Sequence, residues 1–468
     1  MGTTSSVLAE FVNRTRFEDL PENVVWEVKR ILLDSLGCAL AGLRTVKGKT
    51  VFSLGFKGGS PEATIVGVEQ KVPASAAAFI NGELLNALDY DVLCAPTGHV
   101  TPYLLSAPLA VAEWKQVSGK ELILAVAISH EVAQRVCSGL IIPDRLSIKT
   151  TDEGLPVQLP IHGYGVHIFG GIAGVAKVLG LADEKIEHAF GIGGALCPVP
   201  TMMQFVEGIP AAMSKFTPSG WVSQAEVTAA LLAELGYTGD RSVFDGPFAF
   251  WKNFAASGWN PEDVVRGIGR IWTFPEGIGY KRYPCCGAMQ GALEIFCAIM
   301  DRFEISPADI KSVNVWLNLL AELSLWKNRQ IENHVDAQFS TAYVFAVAAH
   351  RVEVGYLWQA KETYRDPEIA AFMEKVNIYT QSSPHADQRH SLIEVILWDK
   401  VGGAENHYTE RDVWPIKIGM TEQDLYDKFQ KNASLKLSPP KISRAMETIR
   451  SLESLDDVAS FMALFSSP

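Results

Sequence analysis

The chain has 468 residues, 48% hydrophobic and 20% charged, with a formal net charge of −12. Such a length supplies two or three domains and a large core, and the acidic balance argues against a protein held to nucleic acid or an anionic membrane by bulk positive charge. The seven cysteines are an odd number, five of them standing alone. No apolar run approaches the roughly 18–20 residues of a membrane span and no secretory leader pattern is visible, so the expected setting is cytoplasmic. Met1-Gly2 with Ser6 fits a myristoylation pattern, but no polybasic cluster or second lipid site follows to stabilise an anchor.

In chain order, Trp26, Ile31, Leu32 and Leu36 put an apolar stripe on a helix that ends at Gly42. Segments 74–89, 104–115, 120–140, 170–179, 183–190 and 225–235 read as further helices, rich in Ala and Gly and apolar nearly all round. That texture predicts a helical core more than one layer thick. No strands alternate with these helices, which argues against a doubly wound fold. After about residue 276, segments 311–317 and 392–398 read as strands, with helices over 334–350 and 367–376 between them. From Thr421 the pattern is helical again. The expected fold is mainly α: a large all-helical domain over 1–275 and 412–468, and a smaller α+β lid domain over 276–411.

Several motifs fail on spacing. Five residues separate Gly42 from Gly48-Lys49-Thr50, where a phosphate loop needs four. Gly191, Gly193 and Gly194 follow no strand and lack the third glycine of a dinucleotide fingerprint. No G-x-S-x-G is present, His162 and His167 are five apart, and Cys285-Cys286 is no C-x-x-C. The expectation is therefore no metal and no cofactor.

Four segments carry chemistry that survives. Asp89, Asp91 and His99 surround a Pro- and Gly-containing loop at the end of an apolar helix, where a capping aspartate and a surface histidine are the plain alternative. His162 and Tyr164 stand in a glycine-rich turn before a helix, a place suited to a carboxylate. Lys215 lies among apolar residues beside Phe216 and Trp221, where desolvation would lower its pKa and make it an anion clamp or a proton donor rather than a solvated surface lysine. Lys281 and Arg282 are adjacent cations preceding Cys285 and Cys286, placed to cover acidic groups of a substrate; a vicinal disulfide there would be strained.

These segments in this order, LLDSLGCALAG from Leu32, NGELLNALDYD with APTGH, HGYGVHIFGG, SKFTPSGW, KRYPCC and DAQFSTAYVFAVA, resemble the MmgE/PrpD family over nearly the whole chain. The resemblance implies a helical domain with an α+β lid, a homodimer, and proton transfer beside a carboxylate without a redox cofactor, as in 2-methylcitrate dehydratases, cis-aconitate decarboxylases and iminodisuccinate epimerases. Carried over by position, it implies Asp89, His99, His162, Lys215 and Lys281 as catalytic residues, with His167 as the alternative second histidine. Tyr164, Asp91, Arg282 and Cys286 are the accompanying substrate-binding candidates. Departures stand at Leu93 and Cys286, where animal-type decarboxylases carry threonine and histidine, and at Gln290, where many members carry histidine.

A carbon acid next to a carboxylate is weak, so its chemistry needs a positioned base and cations where negative charge develops. The reading that follows makes His99 and His162 the acid/base pair, Asp89 the group that orients an imidazole, and Lys215 and Lys281 the carboxylate binders. The expected activity is a lyase, by dehydration or decarboxylation, on a small di- or tricarboxylate. An epimerase of a dicarboxylate and a non-catalytic carboxylate-binding protein are the alternatives.

Overall fold

A computed structural model describes residues 2–54, 59–95, 97–141, 149–150, 156–158, 164–198, 202–254, 256–317, 319–380, 389–398, 407–414 and 420–467. The N-terminal two thirds is helical. After α1 (Thr4–Arg14), α2 (Glu22–Gly42) is buried without a break from Ile31 to Gly42. The longer helices that follow in this part are α3 (Ala74–Asn86), α4 (Ser106–Lys115), α5 (Gly119–Gly139), α6 (Ile168–Leu179), α7 (Asp183–Leu196) and α8 (Ser219–Glu234). Helix α5 starts in a capping box, the Ser118 side chain accepting from the Glu121 N–H while the Glu121 carboxylate accepts from the Ser118 N–H.

Helix α3 lies at the centre, against α2, α4 and α8, while α8 also meets α6 and α7. The α3–α8 crossing brings backbones together: a Cβ added to Gly220 would stand 2.2 Å from the Phe79 carbonyl oxygen. Only glycine permits that approach, which seats the start of α8, and Lys215 just before it, on α3.

The smaller unit is a four-stranded sheet with helices. It comprises α9 (Gln290–Arg302), β1 (Ile310–Leu317), α10 (Thr341–Ala349), α11 (Pro367–Met373), β2 (Val376–Thr380), β3 (Arg389–Leu397) and β4 (His407–Trp414). The strand order is β2-β1-β3-β4, with β1 and β2 parallel and the other pairs antiparallel. Val313, Val315 and Leu317 alternate onto the buried face of β1, α9 packs on β3 and β4, and α10 on β2. The helix expected over 334–350 is broken at Ser340, whose hydroxyl accepts from the Tyr343 N–H at 3.2 Å and restarts the helix as α10. The one expected over 367–376 stops at Met373, because Val376 pairs with Val313. Helix α12 (Glu422–Ala433), opened by a Thr421/Asp424 capping box, then packs on α2, and α13 (Pro439–Arg450) follows. Among the described residues no helix is long and apolar enough to cross a membrane, and none of the seven cysteines is in a disulfide, Cys285 and Cys286 included.

Glu226 on α8 is fully buried against Gly171 of α6, and its two carboxyl oxygens make no hydrogen bond to another described group. Burial holds this carboxyl well above the usual range, so it folds in its neutral form. A raised carboxyl pKa means that the unfolded chain releases the proton first, so stability is lost as pH rises above the unfolded value, by about 1.4 kcal/mol per pH unit. Glu226→Gln is expected to gain stability over the unsubstituted protein as pH rises from about 5 to about 7, read from urea midpoints. A pH-independent difference would show that the carboxyl is ionised in the folded state.

Candidate active site

The site is built on the C-terminal end of α3, where helix carbonyls run out of intrahelical partners and the helix dipole is negative. Five successive carbonyls there each accept a hydrogen bond from a side chain of another segment. Asn86 O accepts from Lys215 Nζ at 2.7 Å, Ala87 O from Gln338 Nε2 at 2.8 Å and Leu88 O from Gln359 Nε2 at 2.7 Å. Asp89 O accepts from Lys281 Nζ at 2.7 Å and Tyr90 O from Lys428 Nζ at 2.9 Å. The helix expected to reach Asp89 thus ends at Asn86, and Asp89 takes a left-handed conformation, φ 53°, which non-glycine residues rarely adopt.

That conformation turns the Asp89 carboxylate, with no exposed surface, between two ammonium groups. Lys215 Nζ lies 3.1 Å from Oδ1 and Lys281 Nζ 2.7 Å from Oδ2. Burial works to raise the Asp89 carboxyl, but the attraction of Lys215, Lys281 and His99 prevails and holds it far below the usual range. The two lysines diverge. Burial brings Lys215 down to about 8 although Asp89 opposes it, with Lys47 and Lys281 adding to the fall. At Lys281 burial is outweighed by Asp89 and Asp91, and the ammonium is raised above its usual value. Such divergence separates a group able to exchange a proton near neutrality from a fixed cation. Lys215 is itself left-handed, φ 50°.

Beside this cluster stands a carboxylate–imidazole pair. His99 Nδ1 is 2.6 Å from Asp91 Oδ2, while Asp91 Oδ1 accepts from Asn86 Nδ2 at 3.1 Å. With Nδ1 committed to Asp91, the His99 nitrogen left for chemistry is Nε2, which lies 3.7 Å from Asp89 Oδ1. Burial works to raise the Asp91 carboxyl, but His99 outweighs it and the group lies below its usual range. The imidazole stacks on Phe216, centroids 4.8 Å apart, and meets the Tyr164 ring edge-on at 5.5 Å. Gly98 permits this: its φ is +87°, and a Cβ there would come within 2.4 Å of the Tyr164 ring. Asp89, Asp91 and His99 offer ligand atoms within 4.8 Å of one another, as a metal site would. Both Asp89 oxygens already face ammonium groups, however, so this donor set suits an anion better than a divalent cation.

Of the residues singled out in the sequence, Asp89, Asp91, His99, Tyr164, Lys215 and Lys281 come together. His162 lies outside the described residues. His167 is fully buried behind Tyr164, its ring parallel to the tyrosine at 5.8 Å. Two roles change. The carboxylate bonded to the imidazole is Asp91, not Asp89, which the lysines occupy. Arg282 turns away from the cluster to pair with Asp424 at 3.1 Å and Glu294 at 3.5 Å. The Cys286 thiol is pushed up to about 11, first by burial and then by Asp89, with Lys281 opposing. Gln290 is structural: its Oε1 accepts from the Arg282 and Tyr283 N–H groups, each at 3.0 Å, and its Nε2 donates to Tyr283 O at 2.9 Å. Leu93 fills the space a Cβ on Gly287 would need, 2.4 Å from its Cδ1. Asn86, Gln338, Gln359 and Lys428 escaped the sequence reading; Lys428 carries a signal all the same, since it falls three residues after Leu425, on the apolar stripe of α12.

Comparison with known proteins places this site in context. Residues 6–262 match the MmgE/PrpD N-terminal domain and residues 283–454 the MmgE/PrpD C-terminal domain. The cis-aconitate decarboxylase-like protein oryM of Aspergillus oryzae is 25% identical over 499 residues, spanning 99% of this chain and 98% of its own. The cis-aconitate decarboxylase of Aspergillus terreus is 24% identical over 500 residues, spanning 100% of this chain and 96% of its own. That of Mus musculus is 22% identical over 478 residues, spanning 98% and 93%.

Proposed function

The chain belongs to the MmgE/PrpD family, and from that premise we propose that it is a lyase acting on a small di- or tricarboxylate by proton transfer at a carbon next to a carboxylate. The observation that carries this reading is the pair of buried ammonium groups sharing the Asp89 carboxylate beside the Asp91–His99 pair. Lys215 and Lys281 outnumber the Asp89 carboxylate they share, and Asp91 is bonded to His99, so the ammonium pair is placed to meet a substrate carboxylate in surroundings where water screens little.

His99 Nε2 exchanges the proton, and Asp91 fixes the ring and stabilises its protonated form. Lys281 stays charged and stabilises the carbanion-like transition state. Lys215, near its own pKa, binds a second carboxylate or returns a proton to carbon. In a decarboxylation the bond to the leaving carboxylate breaks, carbon dioxide departs, the electron pair passes into the carbon framework and a proton is added there. In a dehydration, His99 removes the proton and a hydroxyl on the neighbouring carbon leaves as water after protonation.

Lys215 gives this reading a pH signature. With its ammonium depressed to about 8, kcat/KM is expected to fall about tenfold per pH unit above that value as the proton is lost. In Lys215→Arg, which stays charged throughout, that limb should disappear. A limb unchanged in Lys215→Arg would assign it to another group.

Proton NMR of the protein with cis-aconitate, 2-methylcitrate and iminodisuccinate tests the proposal. A new alkene or a decarboxylated acid is the expected result. Isomerisation without net loss of water or carbon dioxide would make the protein an epimerase, and no change in any of the three would remove this substrate class.

A further inference from the structure

Three lysines reach the turn after α3, and one of them, Lys428, does not touch Asp89. Buried on α12, its ammonium forms an ion pair with Asp34 Oδ1 on α2 at 2.7 Å. It also donates to Tyr90 O at 2.9 Å and to Lys281 O at 3.0 Å, and lies 3.6 Å from the centroid of the Tyr90 ring. The ion pair takes up the charge, and these are the three polar partners of the ammonium. Two of them are main-chain carbonyls of the reacting cluster: Tyr90 sits between Asp89 and Asp91, and Lys281 is the fixed cation. The Cys38 thiol, 3.4 Å from Tyr90 O, completes the backing of this turn, and the Tyr90 hydroxyl donates to Arg282 O at 2.9 Å.

We propose that Lys428 is a positioning residue for the proton-transfer site. From behind the turn it fixes the backbone that sets Asp89 and Asp91 relative to Lys281 and His99. Asp89 and Asp91 leave the chain on either side of Tyr90, so a rotation of the Tyr90 peptide changes both contacts to His99, the 2.6 Å one to Nδ1 and the 3.7 Å one to Nε2. Misplacement of about 1 Å at a reacting group is enough to cost on the order of a hundredfold in rate. In kinetic terms the inference rests on the lyase reading; as a statement about geometry it does not.

The test separates positioning from simple charge pairing. Lys428→Met alone would leave Asp34 buried without its partner, so it is paired with Asp34→Asn, which removes both charges. The double variant and the unsubstituted protein are compared by thermal melting, by the nitrogen-15 resonances of the His99 imidazole without substrate, and by turnover of cis-aconitate. Melting within a few degrees, displaced His99 resonances, a kcat lower by about tenfold or more and a KM within about threefold are expected. Restored melting with unchanged His99 resonances would overturn the proposal, because a group that only balances Asp34 has no further role once both charges are gone. If even the unsubstituted protein leaves cis-aconitate untouched, the lyase reading loses support, while the His99 resonances still decide whether Lys428 positions the cluster.

Discussion

Asp89→Ala is expected to lower the unfolding free energy by about 3–5 kcal/mol and to abolish turnover, the magnitude seen when one partner of a buried ion pair is removed. The carboxylate has no exposed surface and is the ion-pair partner of both Lys215 and Lys281. Its loss leaves two ammonium groups facing each other in the interior, with the carbonyls of residues 86 and 89 as their remaining partners. Lys215 then has less reason to hold its proton, so the loss of stability should shrink at higher pH as that group becomes neutral. Urea midpoints at pH 7 and pH 9 measure both effects. A variant within about 1 kcal/mol of the unsubstituted protein at pH 7 would mean that the two lysines are not held in their charged forms around this carboxylate.

His99→Ala should cut kcat/KM by about a hundredfold or more, because general acid–base catalysis contributes on that scale. The ring is stacked on Phe216, and its removal leaves Asp91 still bonded to Asn86. Asp91→Asn provides the companion measurement. An amide in place of the carboxylate can present its NH2 to Nδ1 and favour the wrong tautomer, so activity should fall although His99 is still present. Activity within a few-fold of the unsubstituted protein in both variants would remove His99 from the mechanism.

Much of this was legible in the sequence, and the residues show why. The Ala- and Gly-rich helices α3, α5 and α6 announce themselves as long runs dominated by apolar and small residues, most of them buried. The strands β2 and β4 do not. β4 (HYTERDVW) shows no run of apolar residues, and β2 follows a helix so closely that its first residue, Val376, reads as helical. Asp89, His99, Lys215 and Lys281 could be found through the order of motifs, because each lies in a segment whose neighbours are distinctive. The choice between Asp89 and Asp91 could not: it depends on one left-handed residue that turns two carboxylates, two positions apart, toward different partners. Nor could the choice between Lys281 and Arg282, which hangs on the direction of a side chain. Lys428 is distant in sequence from everything it touches, and a lysine among DLYDKFQK reads as solvated unless its place on the apolar stripe is given weight.

The central claim is that this cluster moves a proton at a carbon beside a carboxylate, whether water, carbon dioxide or nothing leaves. Deuterium uptake tests it most directly: the protein is incubated in deuterated buffer with cis-aconitate, 2-methylcitrate and iminodisuccinate, and each acid is followed by proton NMR beside the same mixture with His99→Ala. The account predicts, in at least one acid, either deuterium at a carbon next to a carboxylate (decarboxylation or isomerisation) or loss of a carbon-bound proton to an alkene (dehydration), slowed about a hundredfold or more by the substitution. Reaction equally fast with His99→Ala, or neither deuterium uptake nor loss of a carbon-bound proton in any of the three acids with the unsubstituted protein, would contradict it.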